Sequence, residues 1–319
     1  QSTNSPLRCI NDGNDELEMK ENVVGMRILV ILNQGQPQYV YGNYQFDFSP
    51  ELIKKFSRYN NIVIIGIGGS ILGAQSIYLY LKKKIKKKLF FFDNLDENIH
   101  SNFLRYKKLK NSCFIVVSKS GNTIETITNL DIILSKIKLY NKLVIITEIN
   151  DNSLFHLANK FSAEIVEHKN YIGGRYSVLS ESAMFPAALM GLKIKKFKNL
   201  EKLINNKSFS TCLNKNVATI YSLFKRKINN SVILNYDSNS IGLAEWYKQI
   251  TSESLGKKGM GITPIISNCP KDHHSILQLY LDGPKNKFFT FFSSKSGNKK
   301  INSILDAQCK AVKAVFRRK

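Results

Sequence analysis

Residues 118–126 read Ser-Lys-Ser-Gly-Asn-Thr-Ile-Glu-Thr and follow the apolar run CFIVV at 113–117. Four hydroxyl side chains, those of Ser118, Ser120, Thr123 and Thr126, crowd with Lys119 at the end of a buried strand. Asn122 and Glu125 have the spacing of a capping box, which predicts a helix start there. Hydroxyl donors, free backbone N–H groups and the positive end of a helix dipole together suit a phosphate. Ordinary N-capping would use one or two of these hydroxyls, not four. A second loop, Gly66-Ile67-Gly68-Gly69-Ser70-Ile71-Leu72-Gly73, lets backbone N–H groups come close to an anion. It departs from a dinucleotide fingerprint because Ile71 stands where the third glycine would fall, and no GK[ST] ending follows. A purely structural turn is the plain alternative for this loop.

These loops need strands to carry them. Short apolar runs occur at 62–66 (IVIIG), 89–93 (LFFFD), 113–118 (CFIVVS), 143–147 (LVIIT) and 164–168 (EIVEH). Helical periodicity lies between most of them, as with Ile124, Ile127, Leu130, Leu134 and Ile137. Continuous β-branched runs alternating with helices predict an α/β fold with a parallel sheet covered on both faces. Ligands of such folds sit beyond the carboxyl ends of the strands. Further strands are expected at 232–237 (VILNYD) and 288–292 (FFTFF), with a helix from Ile241 to Leu255 between them. The stretch 190–215 is expected to cross between two α/β halves.

The totals narrow the classes. The chain has 319 residues, 43% of them hydrophobic, enough for one large or two moderate domains. No run of about twenty apolar residues appears, so no membrane span is expected, and the first residues lack a secretory h-region. The five cysteines, at 9, 113, 212, 269 and 309, form no CxxC pair. They point to a reduced cytosolic protein with neither a disulfide framework nor a metal site. The net charge of +23 would steer anionic substrates. Most of it is lysine accompanied by abundant Asn and Ile, a mixture that nucleotide-composition bias also produces. The densest run, LKKKIKKKLF at 81–90, is expected to be a solvated helix end, so the charge is not read as a nucleic-acid footprint.

Several separate blocks, in order over roughly residues 60–310, resemble the glucose-6-phosphate isomerase family, whose halves are sugar-isomerase (SIS) domains. They are GIGGSILGA (66–74), SKSGNTIET (118–126), GGRYSVLS (173–180), QITSESLGKKG (249–259) and HHSILQLYLDGPK (273–285). The resemblance implies two doubly wound parallel-sheet domains of SIS type, flavodoxin-like in plan. The first covers 46–205 and the second 206–319, after an irregular extension at 1–45. The matching implies that Ser118, Ser120, Thr123 and Thr126 form the phosphate loop, with Lys119, Gly69 and Ser70 lining the same pocket. Arg175 corresponds to the arginine near the reacting carbons, Glu253 to the catalytic base and Gln249 to a substrate-contacting glutamine. His274 corresponds to the ring-opening histidine, which in this family comes from the neighbouring subunit. A cytoplasmic homodimer with composite sites is therefore implied, acting on a sugar phosphate without a cofactor.

The implied chemistry interconverts glucose 6-phosphate and fructose 6-phosphate. A carboxylate moves one proton between C2 and C1 through a cis-enediol after the ring opens. Gln249 and Glu253, four residues apart, share one helix face. Arg175 is a permanent cation suited to enediolate charge, and His274 exchanges protons near neutral pH. The family's last block, with a glutamine and a lysine that helps ring opening, has no match here, and neither Lys310 nor Lys313 takes that role. The second domain is accordingly expected to be incomplete. Two other classes compete: a non-catalytic sugar-phosphate-binding module, and a dinucleotide-dependent oxidoreductase, which Ile71 disfavours.

Overall fold

The computed structural model describes residues 44–105, 111–199, 205–294 and 298–318. The expected extension at 1–45 falls almost wholly outside them. Its last residues, however, are anchored. Tyr44 donates from its hydroxyl to both oxygens of the buried Glu181, at 2.8 and 2.7 Å.

The first sheet contains β1 (Asn61–Ile65), β2 (Lys88–Phe92), β3 (Ser112–Val117), β4 (Leu143–Thr147) and β5 (Glu164–Glu167), each within one or two residues of its expected position. All pairings are parallel, in the order β2-β1-β3-β4-β5. Alternation along the strands explains why their sequences run apolar without a break. Ile62, Ile64, Cys113, Ile115, Val144 and Ile146 face one core. It is closed by α1 (Pro50–Ser57), α2 (Gly69–Leu81) and α6 (Glu181–Leu189). Val63, Ile65, Phe114, Val116 and Ile145 face the other. That side is covered by α3 (Glu97–Leu104), α4 (Ile124–Leu134) and α5 (Ser153–Lys160). The strand order reverses between β1 and β3, where folds of this plan open a crevice for ligands.

A 3₁₀ segment at Ile194–Asn199 and α7 (Lys207–Lys225) lead to a second sheet. It contains β6 (Asn230–Asn235), β7 (Thr263–Asn268) and β8 (Lys287–Phe292), parallel and ordered β7-β6-β8. β7 was not foreseen. Its sequence, TPIISN, carries Pro264, which argues against a strand unless the strand lies at an edge, and β7 is an edge strand. α8 (Ile241–Leu255) spans the expected residues and packs against both α2 and β7. The contact with α2 is close, since a Cβ on Gly242 would stand 2.8 Å from Ser76 Cα. The 3₁₀ turn Lys271–His274, α9 (Leu277–Asp282) and α10 (Lys299–Arg318) complete the described chain.

No described helix is long and apolar enough to cross a membrane. Cys113, Cys269 and Cys309 carry free thiols, and burial pushes that of Cys113 up to about 12, so it is inert as a nucleophile.

Candidate active site at the seam of the two sheets

Beyond the carboxyl end of β1 the chain turns through Gly68, whose φ of +55° places it in left-handed backbone space. A Cβ there would lie 2.9 Å from Gln249 Nε2. At the neighbouring Gly69 it would lie 2.3 Å from the Gly174 carbonyl oxygen, inside backbone with no room to yield. The glycines thus allow the loop to approach the 3₁₀ segment Gly174–Leu179 and the face of α8 together. Ser70 then enters the first turn of α2.

Beyond β3 lies the hydroxyl-rich loop, and it is built differently from expectation. The helix starts at Ile124, as the pattern suggested, but Asn122 is not its cap. Thr123 occupies the N-cap position without a side-chain cap bond. The Asn122 carboxamide oxygen accepts instead from the Ser153 N–H and hydroxyl, at 2.9 and 2.8 Å, and ties the loop to α5. A tertiary partner outbid the local one. Consequently the first-turn N–H groups of α4 are free of a side-chain cap, which suits an incoming anion.

The four hydroxyls divide into two pairs. Ser120 and Thr123 line a cleft of roughly 300 Å³, together with Lys119, Ile67, Gly69 and Ser70. Ser118 is buried behind them and its Oγ lies 2.8 Å from Thr123 Oγ1. Thr126 is buried as well, and its Oγ1 has no protein partner. Buried polar atoms without partners are rare and mark a place where something else is to be bound or held.

The opposite wall comes from Gly174, Arg175, Gln249 and Glu253. Gln249 Nε2 donates to Glu253 Oε1 at 2.8 Å, the contact that their four-residue spacing on α8 allows. Gln249 Oε1 is buried and has no hydrogen-bond partner in the protein. Arg175 Nη1 lies 3.4 Å from Glu253 Oε2. The cations are thus each matched by a carboxylate, for Lys119 Nζ lies 3.6 Å from Glu148 Oε1 and donates to the Asn170 carbonyl at 2.7 Å.

His274 is not brought to this cleft. It ends the exposed turn after β7, while its neighbour His273 has Nε2 2.8 Å from the Tyr236 hydroxyl. Burial holds the His273 imidazole below its ordinary range. Several residues at the site were missed by sequence reasoning. Glu148 follows the last residue of β4 and lines the cleft; its place at a strand's carboxyl end was the signal that could have found it. Tyr176 and Ser254, which lie within the quoted blocks GGRYSVLS and QITSESLGKKG, and Trp246, just before the second, surround Arg175 and were not singled out.

A larger cleft, of about 660 Å³, is lined by Ile53, Ala188, Leu192 and Lys193–Lys196 and holds no grouping capable of chemistry.

Comparison with known proteins bears on the family and the fold. The family model described as phosphoglucose isomerase matches residues 53–268. A glucose-6-phosphate isomerase of Methanocaldococcus jannaschii is 36% identical over 261 residues, 78% of this chain and 64% of that protein. One from Campylobacter jejuni is 29% identical over 306 residues, 83% of this chain and 73% of that protein. This chain therefore spans somewhat under two thirds of the length of the first of them. Among solved structures, a hypothetical protein from Thermus thermophilus superposes with a TM-score of 0.73 at 21% identity, covering 91% of this chain and 79% of that one. A glucose-6-phosphate isomerase from Chlamydia trachomatis superposes at 0.65 with 20% identity, covering 82% and 57%. At such identities the structures speak for the fold alone.

Proposed function

Because the chain belongs to the phosphoglucose isomerase family, we propose that it interconverts glucose 6-phosphate and fructose 6-phosphate at the seam of its two sheets. The observation that carries the proposal is the carboxylate of Glu253, held by Gln249 and Arg175 across one cleft from the hydroxyl-rich loop.

In this reading the phosphate rests on Ser120, Thr123 and Ser70, with the α4 N-terminus and Lys119 supplying positive charge. Ser118 and Thr126 support the loop from behind. Anchoring the phosphate fixes the distance to the reacting carbons and turns proton abstraction into an intramolecular event. With the ring open, Glu253 removes the C2 proton of glucose 6-phosphate. The electron pair forms the C1–C2 double bond of an enediolate, with charge on O1. Arg175 stabilises that charge and Gln249 orients the hydroxyls. Return of the proton to C1, with loss of the O2 proton to O1, yields the ketose with its carbonyl at C2. Protons balance, and no electrons enter or leave.

The exposed position of His274, away from its own chain's cleft, supports a homodimer in which it completes the site of a second copy and serves ring opening. The same reading takes 46–205 and 206–319 as two SIS-type domains of a cytoplasmic protein.

The test is conversion of fructose 6-phosphate, coupled to a glucose-6-phosphate dehydrogenase, with Glu253→Gln beside the wild type. Turnover falling about 10²–10⁴-fold in the variant, with sugar-phosphate affinity kept, is expected. Tight binding without turnover in the wild type would favour a binding module instead.

A further inference from the structure

Arg175 is held at more points than a cation beside a carboxylate needs. Its Nε donates to Ser254 Oγ at 2.9 Å. The guanidinium carbon lies 4.6 Å from the centre of the Tyr176 ring. The Tyr176 hydroxyl and Ser254 Oγ are 2.7 Å apart, which closes a triangle. The Arg175 carbonyl in turn accepts from Trp246 Nε1 at 2.9 Å, and Trp246 is the single tryptophan of the chain. Burial raises the Tyr176 phenol, but its bonds to Ser254 and Arg175 and the adjacent charge outweigh burial and leave it below its ordinary range.

This triangle controls how Arg175 can meet Glu253. Guanidinium and carboxylate prefer a fork-to-fork pair, two parallel bonds shorter than about 3 Å. One such fork uses Nε with a terminal nitrogen, and Nε here is committed to Ser254. That side-on fork is therefore closed, and the contact seen is a single longer approach of Nη1 to Glu253 Oε2 at 3.4 Å. The base is not locked into a tight ion pair, and the outer guanidinium N–H groups stay available to a developing oxyanion.

We propose that Ser254 and Tyr176 are positioning residues for Arg175, holding its guanidinium off Glu253 and toward the charge that develops on the substrate. The proposal rests on the isomerase reading of the same cleft. In Ser254→Ala the freed guanidinium turns to pair with Glu253, which removes the base and the stabilising cation together. Phosphate anchoring on the other wall is untouched.

The experiment compares wild type, Ser254→Ala, Ser254→Thr and Tyr176→Phe by two readouts. Steady-state kinetics with fructose 6-phosphate should show kcat reduced about 10–100-fold in Ser254→Ala with KM changed less than about threefold. Ser254→Thr, which keeps the hydroxyl, should recover most of that loss, and Tyr176→Phe should fall between. The second readout needs no turnover: binding of 5-phospho-D-arabinonate, whose carboxylate mimics enediolate charge, against fructose 6-phosphate, followed by Trp246 fluorescence. Ser254→Ala should weaken the arabinonate about tenfold and fructose 6-phosphate less than about twofold. Unchanged melting temperature and Trp246 emission would show that the fold is intact. Equal weakening of both ligands, no weakening of either, or no rescue by threonine would overturn the proposal. Absence of wild-type turnover would sink the isomerase reading, whereas the affinity ratio would still decide this inference.

Discussion

The two sheets differ in how completely they are enclosed. Every residue of β1, β3 and β4 is buried. In the second sheet, β7 buries one residue and β8 none. The hydroxyl-rich loop rests on the enclosed half, and Glu253, the proposed base, is carried by the other. What makes the second contribution accurate is less its own sheet than α8, which is keyed into the first half through Gly242 against α2 and Gln249 against Gly68. In the proposed reaction this is a division of labour: the enclosed sheet would anchor the substrate, and one helix laid across the seam would deliver the base.

The comparison can be broken first at the cores. Phe114→Ala, in the fully enclosed sheet, is expected to cost about 3–5 kcal/mol of unfolding free energy in urea titration. Phe289→Ala, on the half-exposed β8, should cost only about 1–2 kcal/mol because less of that ring leaves water. Equal costs would mean that the second sheet is as well consolidated as the first.

A smaller effect should appear at the seam. Gly242→Val drives a side chain into the Ser76 backbone and displaces α8, which should lower turnover about 10²-fold. If turnover survived while stability fell, α8 would not need the first half to place Glu253.

Smaller still is the anchor of the first half's edge. Tyr44→Phe removes both hydroxyl bonds to Glu181, leaving a carboxylate whose range burial has already raised; about 1–3 kcal/mol should be lost, read from thermal melts. The smallest effect concerns pH. His168 lies just beyond β5, is buried with Nε2 unpartnered, and burial lowers its range from the ordinary 6.5. It is neutral in the fold. Its contribution is therefore complete above its unfolded value and is lost as pH falls through the lowered one. Melting temperature should drop by about 2–4 °C more in wild type than in His168→Gln between pH of about 7.5 and about 5.5. An identical drop in both would place the acid sensitivity elsewhere.

The strands of the first sheet were legible because burial on both faces leaves an unbroken apolar run, the strongest local signal there is. β7 was not, because Pro264 reads locally as a breaker and only its edge position makes it tolerable. The extent of α8 was legible as a helical stretch between two strand-like runs. The capping of α4 was misread, since the Asn122 side chain had a better partner in Ser153, remote in sequence. Of the expected site residues, Gly69, Ser70, Lys119, Ser120, Thr123, Arg175, Gln249 and Glu253 come together around one cleft, and Ser118 and Thr126 lie behind it. His274 alone stands apart.

By itself, then, the sequence determined the α/β class, the strand and helix order of the first half, and the family-like blocks with their residue types. These depend on local periodicity and on side-chain chemistry that neighbours in sequence can express. Only the tertiary structure decided that Gly68 and Gly69 exist to admit Gln249 and Gly174. It alone decided that Glu148 faces Lys119, and that Ser254 and Tyr176 stand against Arg175 beside Glu253. Those contacts join residues 78 or more positions apart in the case of Arg175 and α8's end. No local pattern encodes a distance across a seam.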